Sequence, residues 1–168
     1  RGDPAANWKR AQAIGVPIAQ ARWRPEPGDV LVDAIFGTGL DRTVEGAAAT
    51  AIRKLCASRP ACRVVAVDLP SGINADSGQP LGCAVDADVT VTLALPKLGL
   101  ALEPGRTHAG RIVVGRIGIA DEAPEVEGTA GAVLLRAIEP VAGRQVMALS
   151  LPRLFFWTAG AIAAGARP

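Results

Sequence analysis

The sequence predicts an α/β fold, a three-layer α/β/α sandwich around a mostly parallel sheet. Three observations lead to this fold class. Several runs rich in β-branched and apolar residues have the length of buried strands, a helical pattern separates the first two runs, and glycine or proline stands near the ends of most runs. With 168 residues, of which 49% are hydrophobic and 20% charged, the chain is long enough for one domain with a single core.

The first two predicted elements are a helix and a strand. Residues 3–14 begin with Asp3, a helix-capping residue, and Pro4, which favours the first helical turn, and the helical pattern ends at Gly15. After a proline-rich connection, residues 29–36 form an apolar, β-branched run that is typical of a buried parallel strand.

A second helix and a second strand complete a βαβ unit. Residues 46–58 place apolar side chains on one helical face before Pro60, and residues 63–69 form another apolar run that ends at Pro70. Because neighbouring parallel strands need a crossover connection, this order of strand, loop, helix and strand indicates a Rossmann-like sheet.

Two further strands are predicted at residues 88–94 and 110–119. The polar, turn-rich residues 71–87 are too many for a minimal hairpin, and loops of this length are often functional. Beyond residue 120 the composition changes. We therefore expect one domain over residues 1–120 and a linker or tail, without an assigned structure, over residues 121–168.

Composition and charge argue against several classes of partner. The net charge of +2 comes from 18 basic and 16 acidic residues without a dense basic stripe, so no nucleic-acid partner is expected. No apolar stretch approaches the roughly 20 residues that a membrane span needs, so no membrane partner is expected either. The chain begins with Arg1 and without a signal-peptide pattern, and we expect a cut end there.

Cysteine and histidine usage points away from metal clusters and disulfides. The three cysteines, Cys56, Cys62 and Cys83, do not have CxxC spacing, and an odd number of cysteines argues against a set of disulfides. We therefore expect free thiols in a reducing cytoplasm. The single histidine, His108, allows neither a histidine-rich zinc site nor a serine–histidine triad, and we expect it in a loop.

The loop after the first predicted strand is a candidate phosphate-binding loop. In open α/β sheets, ligands bind at the carboxyl ends of the strands. Glycines let backbone N–H groups approach a phosphate, and Arg42 would supply a charge-assisted hydrogen bond, although a tight turn explains the pattern about as well. The candidate substrate-binding residues of this loop are Gly37, Thr38, Gly39, Leu40, Asp41, Arg42 and Thr43.

Asp68 is a second candidate, because it stands at the end of an apolar strand shortly before Pro70. An aspartate in this position either has a function or caps the loop by accepting hydrogen bonds from backbone N–H groups. Lys97 follows the third predicted strand. It either faces the same crevice or is a solvated surface lysine.

Asp33 interrupts the apolar run of the first predicted strand, where an unpaired charge would cost several kcal/mol. The carboxylate therefore needs a cation or hydrogen-bond donors. Hard cations favour oxygen ligands, so Asp33, the Ser71 hydroxyl and nearby carbonyls are a candidate metal site. A hydrogen-bonded structural aspartate is the alternative.

Five segments, taken together and in order, resemble signatures of the NAD(P)H-hydrate epimerase family, the YjeF N-terminal domain. They are residues 33–42, 65–73, 76–78, 87–92 and 96–100. The similarity covers roughly residues 5–120, and linked motifs are more specific than any single one. The resemblance implies an isomerase that interconverts the R and S forms of hydrated NADH and NADPH (NADHX and NADPHX) in nicotinamide nucleotide repair.

The resemblance also implies residue roles. It makes Asp33 and Ser71 ligands of a potassium ion, Gly37–Thr43 the phosphate-contacting loop, and Asp68 a substrate-binding residue. Inverting C6 of the hydrated ring needs proton movement or reversible ring chemistry beside an acid or base, so we assign catalysis to Asp68. Lys97 either balances the charge of Asp68 or contacts the substrate.

One family feature is absent. The family's Asn-Asn-Gly-Gly-Asp motif would lie upstream of Arg1, so we expect an N-terminally truncated fragment with an incomplete sandwich. The resemblance further implies a fused or separate ATP- or ADP-dependent NAD(P)H-hydrate dehydratase as partner, and a homodimer as a possible assembly. The alternatives are a non-catalytic nucleotide- or protein-binding module of the same fold, and an inactive truncated remnant.

Overall fold

The computed structural model describes residues 3–15, 23–115, 117 and 146–150. Within these ranges helices separate the first strand from the second and the third from the fourth, as is typical of α/β proteins, whereas the second and third strands follow one another without a helix between them. The elements are α1 (Asp3–Ala13), β1 (Val30–Ala34), α2 (Gly46–Ser58), β2 (Arg63–Val67), β3 (Val89–Leu93), a 3₁₀ helix (Leu98–Leu100), α3 (Gly105–Ala109), β4 (Arg111–Gly115) and β5 (Val146–Ser150).

The five strands form one sheet in the order β4-β3-β2-β1-β5. Every pairing in it is parallel, with Val32 of β1 opposite Val65 of β2 and Ala148 of β5. The carboxyl ends of all five strands therefore lie at one edge of the sheet. The Rossmann-like α/β prediction is confirmed, and no described strand is antiparallel.

Both faces of the sheet are buried. On one face, α2 buries Ala49, Ala51, Ile52 and Leu55 in a core cluster that includes side chains of β1 and β2. On the other face, the central strands keep apolar side chains at most 4% exposed; these are Val30, Val32 and Val65. Burial on two faces explains why the strands are continuous apolar runs in sequence.

The predicted elements agree with the structure in kind, and α2 agrees at both ends. Strands β1, β2 and β3 are two or three residues shorter than expected, and the chain turns away at the carboxyl ends of β2 and β3. Residues 116, 118 and 119 of the fourth predicted strand lie outside the described residues. Asp68, directly after β2, and Ala94, directly after β3, have left-handed φ angles of 73° and 61°. Such a conformation ends an extended strand.

Two features differ from the expectations. His108 lies in α3 and not in a loop. Residues 146–150 form β5 beside β1, so part of the segment that had no assigned structure belongs to the sheet. Residue 120 and most of residues 121–168 lie outside the described residues, and the domain boundary stays a prediction. Among the described helices, none is long and apolar enough to cross a membrane.

Candidate active site at the carboxyl edge of the sheet

Four of the predicted site residues lie at the carboxyl ends of neighbouring strands. Asp33 is the fourth residue of β1, Asp68 directly follows β2, Ser71 lies three residues further on, and Lys97 follows β3. Because β1, β2 and β3 are adjacent and parallel, these residues belong to the same edge of the sheet.

Asp33 and Ser71 are joined by two short hydrogen bonds. The Ser71 backbone N–H donates to Asp33 Oδ2 at 2.7 Å, and the Ser71 hydroxyl donates to Asp33 Oδ1 at 2.6 Å. The same hydroxyl oxygen accepts a hydrogen bond from the Phe36 N–H at 2.9 Å. The segments that follow β1 and β2 are thereby tied together beneath the candidate loop.

Asp33 is fully buried, and burial raises the pKa of its carboxyl group to about 6, against the opposing effect of hydrogen bonds from Ser71 and Ile35. These donors are neutral. A cation bound through oxygen ligands would favour the charged form of the carboxylate. The Phe36 carbonyl oxygen, 3.4 Å from Ser71 Oγ, is a third oxygen ligand available beside Asp33 and Ser71. The residues present therefore fit a hard cation.

Among the described residues, the candidate cation site contains one carboxylate, that of Asp33. No group of three or more His, Cys, Asp or Glu side chains suited to a metal occurs among the residues that the structure describes. A site built on Asp33 would thus combine one carboxylate with neutral oxygens. Zinc prefers nitrogen and sulfur ligands, and calcium sites usually combine several carboxylates with neutral oxygens.

Asp68 and Lys97 form an ion pair that is mostly buried, with 16% and 17% of their side chains exposed. Lys97 Nζ donates to Asp68 Oδ1, and it also reaches the Leu93 carbonyl oxygen at 2.6 Å and Thr92 Oγ1 at 3.3 Å. The Leu93 N–H donates to Asp68 Oδ1 at 3.2 Å. Lys97 therefore lies in the crevice and is not a solvated surface lysine.

The second carboxylate oxygen of Asp68 lies against the candidate loop. A Cβ atom added to Gly37 would be only 3.3 Å from Asp68 Oδ2, so glycine lets the loop pass close to the carboxylate. The structure thus brings the predicted catalytic residue and the start of the predicted phosphate-binding loop together.

The loop from Gly37 to Thr43 is exposed except at Leu40. The Leu40 side chain is 7% exposed and belongs to the core cluster, so it anchors the loop. The backbone of the loop stays accessible to a ligand. Further on, the Val44 N–H donates to the Leu81 carbonyl oxygen at 2.9 Å. The exposed Arg42 is held between these two anchors.

Thr92 is the site residue that was not singled out from the sequence. It is fully buried in β3, and its hydroxyl contacts Lys97. The available signal was the pair of threonines that alternate with valine in an otherwise apolar strand, since a buried hydroxyl needs a partner.

His108 lies at the opposite edge of the sheet. Its Nδ1 atom is 2.7 Å from Asp86 Oδ1, in the segment before β3. A cavity of about 350 Å³ at the amino ends of β2 and β3 is lined by Cys56, Arg59, Pro60, Asp86 and Asp88. Neither feature contributes to the site formed by Asp33, Ser71, Asp68 and Lys97.

Comparison with known proteins gives the family. The chain is 48% identical over 99 residues to the NAD(P)H-hydrate epimerase of Limosilactobacillus fermentum. These residues are 59% of the chain and 47% of that protein. It is 51% identical over 111 residues to the NAD(P)H-hydrate epimerase of Levilactobacillus brevis, covering 66% of the chain and 51% of that protein.

A third relative is longer. The bifunctional NAD(P)H-hydrate repair enzyme Nnr of Moorella thermoacetica is 48% identical over 91 residues, which are 54% of the chain and 17% of that protein. The chain thus spans about half the length of the two epimerases and less of the bifunctional enzyme. Residues 1–99 match the model of the family described as YjeF-related protein N-terminus. The chain, with its parallel sheet and its carboxyl-edge aspartates, belongs to this family.

Proposed function

We propose that the protein is an NAD(P)H-hydrate epimerase, which interconverts the R and S forms of hydrated NADH and NADPH. The main support is the position of Asp68 Oδ2 beside Gly37, since it puts a carboxylate next to a glycine-rich, exposed loop at the ligand-binding edge of a parallel sheet. The chain matches about half the length of two relatives that are named NAD(P)H-hydrate epimerase, and these names point to the same reaction.

In this proposal the loop Gly37–Thr43 binds the phosphates of the dinucleotide. Its exposed backbone offers N–H groups, and Arg42 offers a charge-assisted hydrogen bond. Asp68 is the acid or base that moves a proton at the hydrated ring, and Oδ2 is the oxygen that acts, because Oδ1 already accepts hydrogen bonds from Lys97 and the Leu93 N–H.

We further propose that Asp33, Ser71 and the Phe36 carbonyl hold a potassium ion. A bound monovalent cation would balance the buried charge of Asp33 and supply positive charge near the dinucleotide phosphates. This proposal is supported by the full burial of Asp33 and by the three neutral hydrogen bonds that Ser71 and Ile35 donate to it.

The reaction also suggests partners. An epimerase is useful where a second enzyme consumes one epimer, and the name of the Moorella thermoacetica protein combines repair functions in one chain. We propose a fused or separate ATP- or ADP-dependent NAD(P)H-hydrate dehydratase as the partner, in the cytoplasm, where these cofactors are used. A homodimer belongs to the same proposal.

The test is the conversion of R-configured hydrated NADPH to the S form, followed by chiral chromatography in potassium and in sodium buffers. We expect conversion above the rate without protein, a requirement for potassium, and a loss of about 10²–10⁴-fold in kcat for Asp68→Asn. The matched control is Asp76→Asn. It changes an exposed aspartate in the same connection between β2 and β3 and should keep the rate. Full activity of Asp68→Asn contradicts the catalytic assignment.

A further inference from the structure

The ammonium group of Lys97 is saturated by protein acceptors. It donates to Asp68 Oδ1, to the Leu93 carbonyl oxygen at 2.6 Å and to Thr92 Oγ1 at 3.3 Å. An ammonium group has three protons and no acceptor. These three contacts use all of its donors, so none is left for a ligand.

The local backbone directs Lys97 to these acceptors. The left-handed φ of 61° at Ala94 turns the chain directly after β3, while the Ala94 N–H donates to the Gly115 carbonyl oxygen of β4 at 2.9 Å. The Lys97 side chain can therefore reach back to the carboxyl end of β3, the strand that precedes it. There it meets Thr92, which is fully buried and cannot move away without unpacking β3.

We propose that Lys97 and Thr92 are positioning residues, which act on the substrate only through Asp68. Thr92 and the Leu93 carbonyl fix the ammonium group, and the ammonium group fixes Asp68 Oδ1, so that Oδ2 is turned to the Gly37 loop. This inference rests on the proposed function, since it takes Asp68 as the acting residue. It assigns charge balance to Lys97 and excludes the other role, a direct contact with the dinucleotide.

The kinetic test uses the epimerisation assay on the full 168-residue chain. Lys97→Met should lower kcat by about a hundredfold and Thr92→Val by about tenfold, while KM stays within about twofold, because misplacement of Asp68 weakens the transition state and not substrate binding. Thr92→Ser restores the hydroxyl and should recover most of the rate. A direct contact between Lys97 and the dinucleotide would instead raise KM in Lys97→Met.

Thr90 provides the matched control for Thr92. It lies in the same strand, is equally buried, and donates its hydroxyl to the Ala109 carbonyl oxygen at 2.7 Å, not to the site. Thr90→Val removes the hydrogen bond to Ala109, and Thr92→Val removes the contacts of its hydroxyl with Lys97 Nζ and with the Leu95 carbonyl oxygen at 3.5 Å, so both lower the thermal midpoint. Only Thr92→Val should lower kcat and recover with serine.

A second measurement needs no turnover. The chain has three lysines, Lys9, Lys54 and Lys97, so ¹⁵N-lysine labelling gives a simple ammonium spectrum that Lys97→Arg assigns. Hydrogen-bonded ammonium protons exchange slowly with water. We expect a Lys97 correlation in the wild-type chain, no correlation from the exposed Lys9, and about fivefold faster exchange at Lys97 in Thr92→Val but not in Thr90→Val.

The two measurements separate the two proposals. Absence of epimerisation in the wild-type chain, together with a protected Lys97 ammonium group, contradicts the proposed function and leaves the hydrogen-bond arrangement intact. Exchange at Lys97 as fast as at Lys9, or a KM effect without a kcat effect in Lys97→Met, overturns the positioning role.

Discussion

Ser71 holds both oxygens of the Asp33 carboxylate, the backbone N–H binding Oδ2 at 2.7 Å and the hydroxyl binding Oδ1 at 2.6 Å. The two residues are 38 positions apart in the chain; Asp33 lies in β1, and Ser71 follows the neighbouring strand β2. This contact fixes the carboxyl end of β1 relative to the segment after β2. It also places a buried negative charge where the structure provides only neutral donors, and two predictions follow from that charge.

The first prediction concerns pH. Burial raises the pKa of Asp33 from 3.8 to about 6 on folding. Between these pKa values the folded protein keeps a proton that the unfolded chain has released, so this contribution to stability is complete below about pH 4 and is lost as pH rises through 6. In potassium-free buffer we expect a loss of about 3 kcal/mol in the free energy of unfolding across this range.

Urea denaturation at intervals from about pH 4 to 7 measures this loss. Because other carboxylates titrate in the same range, the relevant quantity is the difference between wild type and Asp33→Asn, which cannot titrate at this position. Parallel pH curves for the two proteins would show that Asp33 is not the group responsible.

The second prediction concerns potassium. A cation that binds only the folded protein stabilises it by mass action, and at ten times its dissociation constant the gain is about 1.4 kcal/mol. At pH 7.5 we expect the thermal midpoint to be higher in potassium chloride than in sodium chloride of equal concentration. Asp33→Asn should remove this difference, and a difference that persists in the variant places the ion elsewhere.

The features of the site that could be predicted are those that conflict with their surroundings in sequence. Asp33 is a carboxylate in an apolar strand, and Asp68 is a carboxylate at a strand end before proline. Both stand at the carboxyl edge, because parallel strands joined by crossovers must end there. The continuous apolar runs were sufficient to predict that the strands exist, and the apolar helical face before Pro60 was sufficient for α2, which agrees with the prediction at both of its ends.

The features that could not be predicted depend on backbone conformations and tertiary contacts that the residue types do not indicate. Alanine rarely adopts a positive φ, so nothing at Ala94 indicated the turn that brings Lys97 to Thr92. Helix α3 has five residues, too few for a periodic pattern, and the run Val146–Ser150 is a short apolar run whose pairing with β1 depends on tertiary contacts.

The third prediction concerns Gly37. A methyl group at this position would lie 3.3 Å from Asp68 Oδ2 and would compete with a substrate for that oxygen. Gly37→Ala should lower kcat/KM by about tenfold or more, with a change in unfolding free energy below about 1 kcal/mol. Gly39→Ala is the comparison, because its methyl group meets no atom within 4 Å, and its loss of activity should be smaller. Equal losses for the two variants contradict a specific role of the Gly37 contact.

The fourth prediction concerns Gly72, which follows Ser71 and supports the Asp33 contact. Its φ of 99° is unfavourable for any other residue, and an added Cβ atom would overlap the Cys83 carbonyl oxygen and approach the Ala84 Cα atom at 2.7 Å. Since both neighbours are backbone atoms, Gly72→Ala must displace Ser71 or the chain at Cys83. We expect a loss of more than about 3 kcal/mol in the free energy of unfolding.

Gly46→Ala separates the two causes of this loss. Gly46 also has a positive φ, of 62°, but its Cβ position is open, so alanine there carries only the conformational cost of about 1 kcal/mol. Denaturation of the two variants under identical conditions gives the difference between them, which is the cost of the backbone overlap at Gly72. If Gly72→Ala is no less stable than Gly46→Ala, the segment at Cys83 yields easily and does not hold Ser71 in place against Asp33.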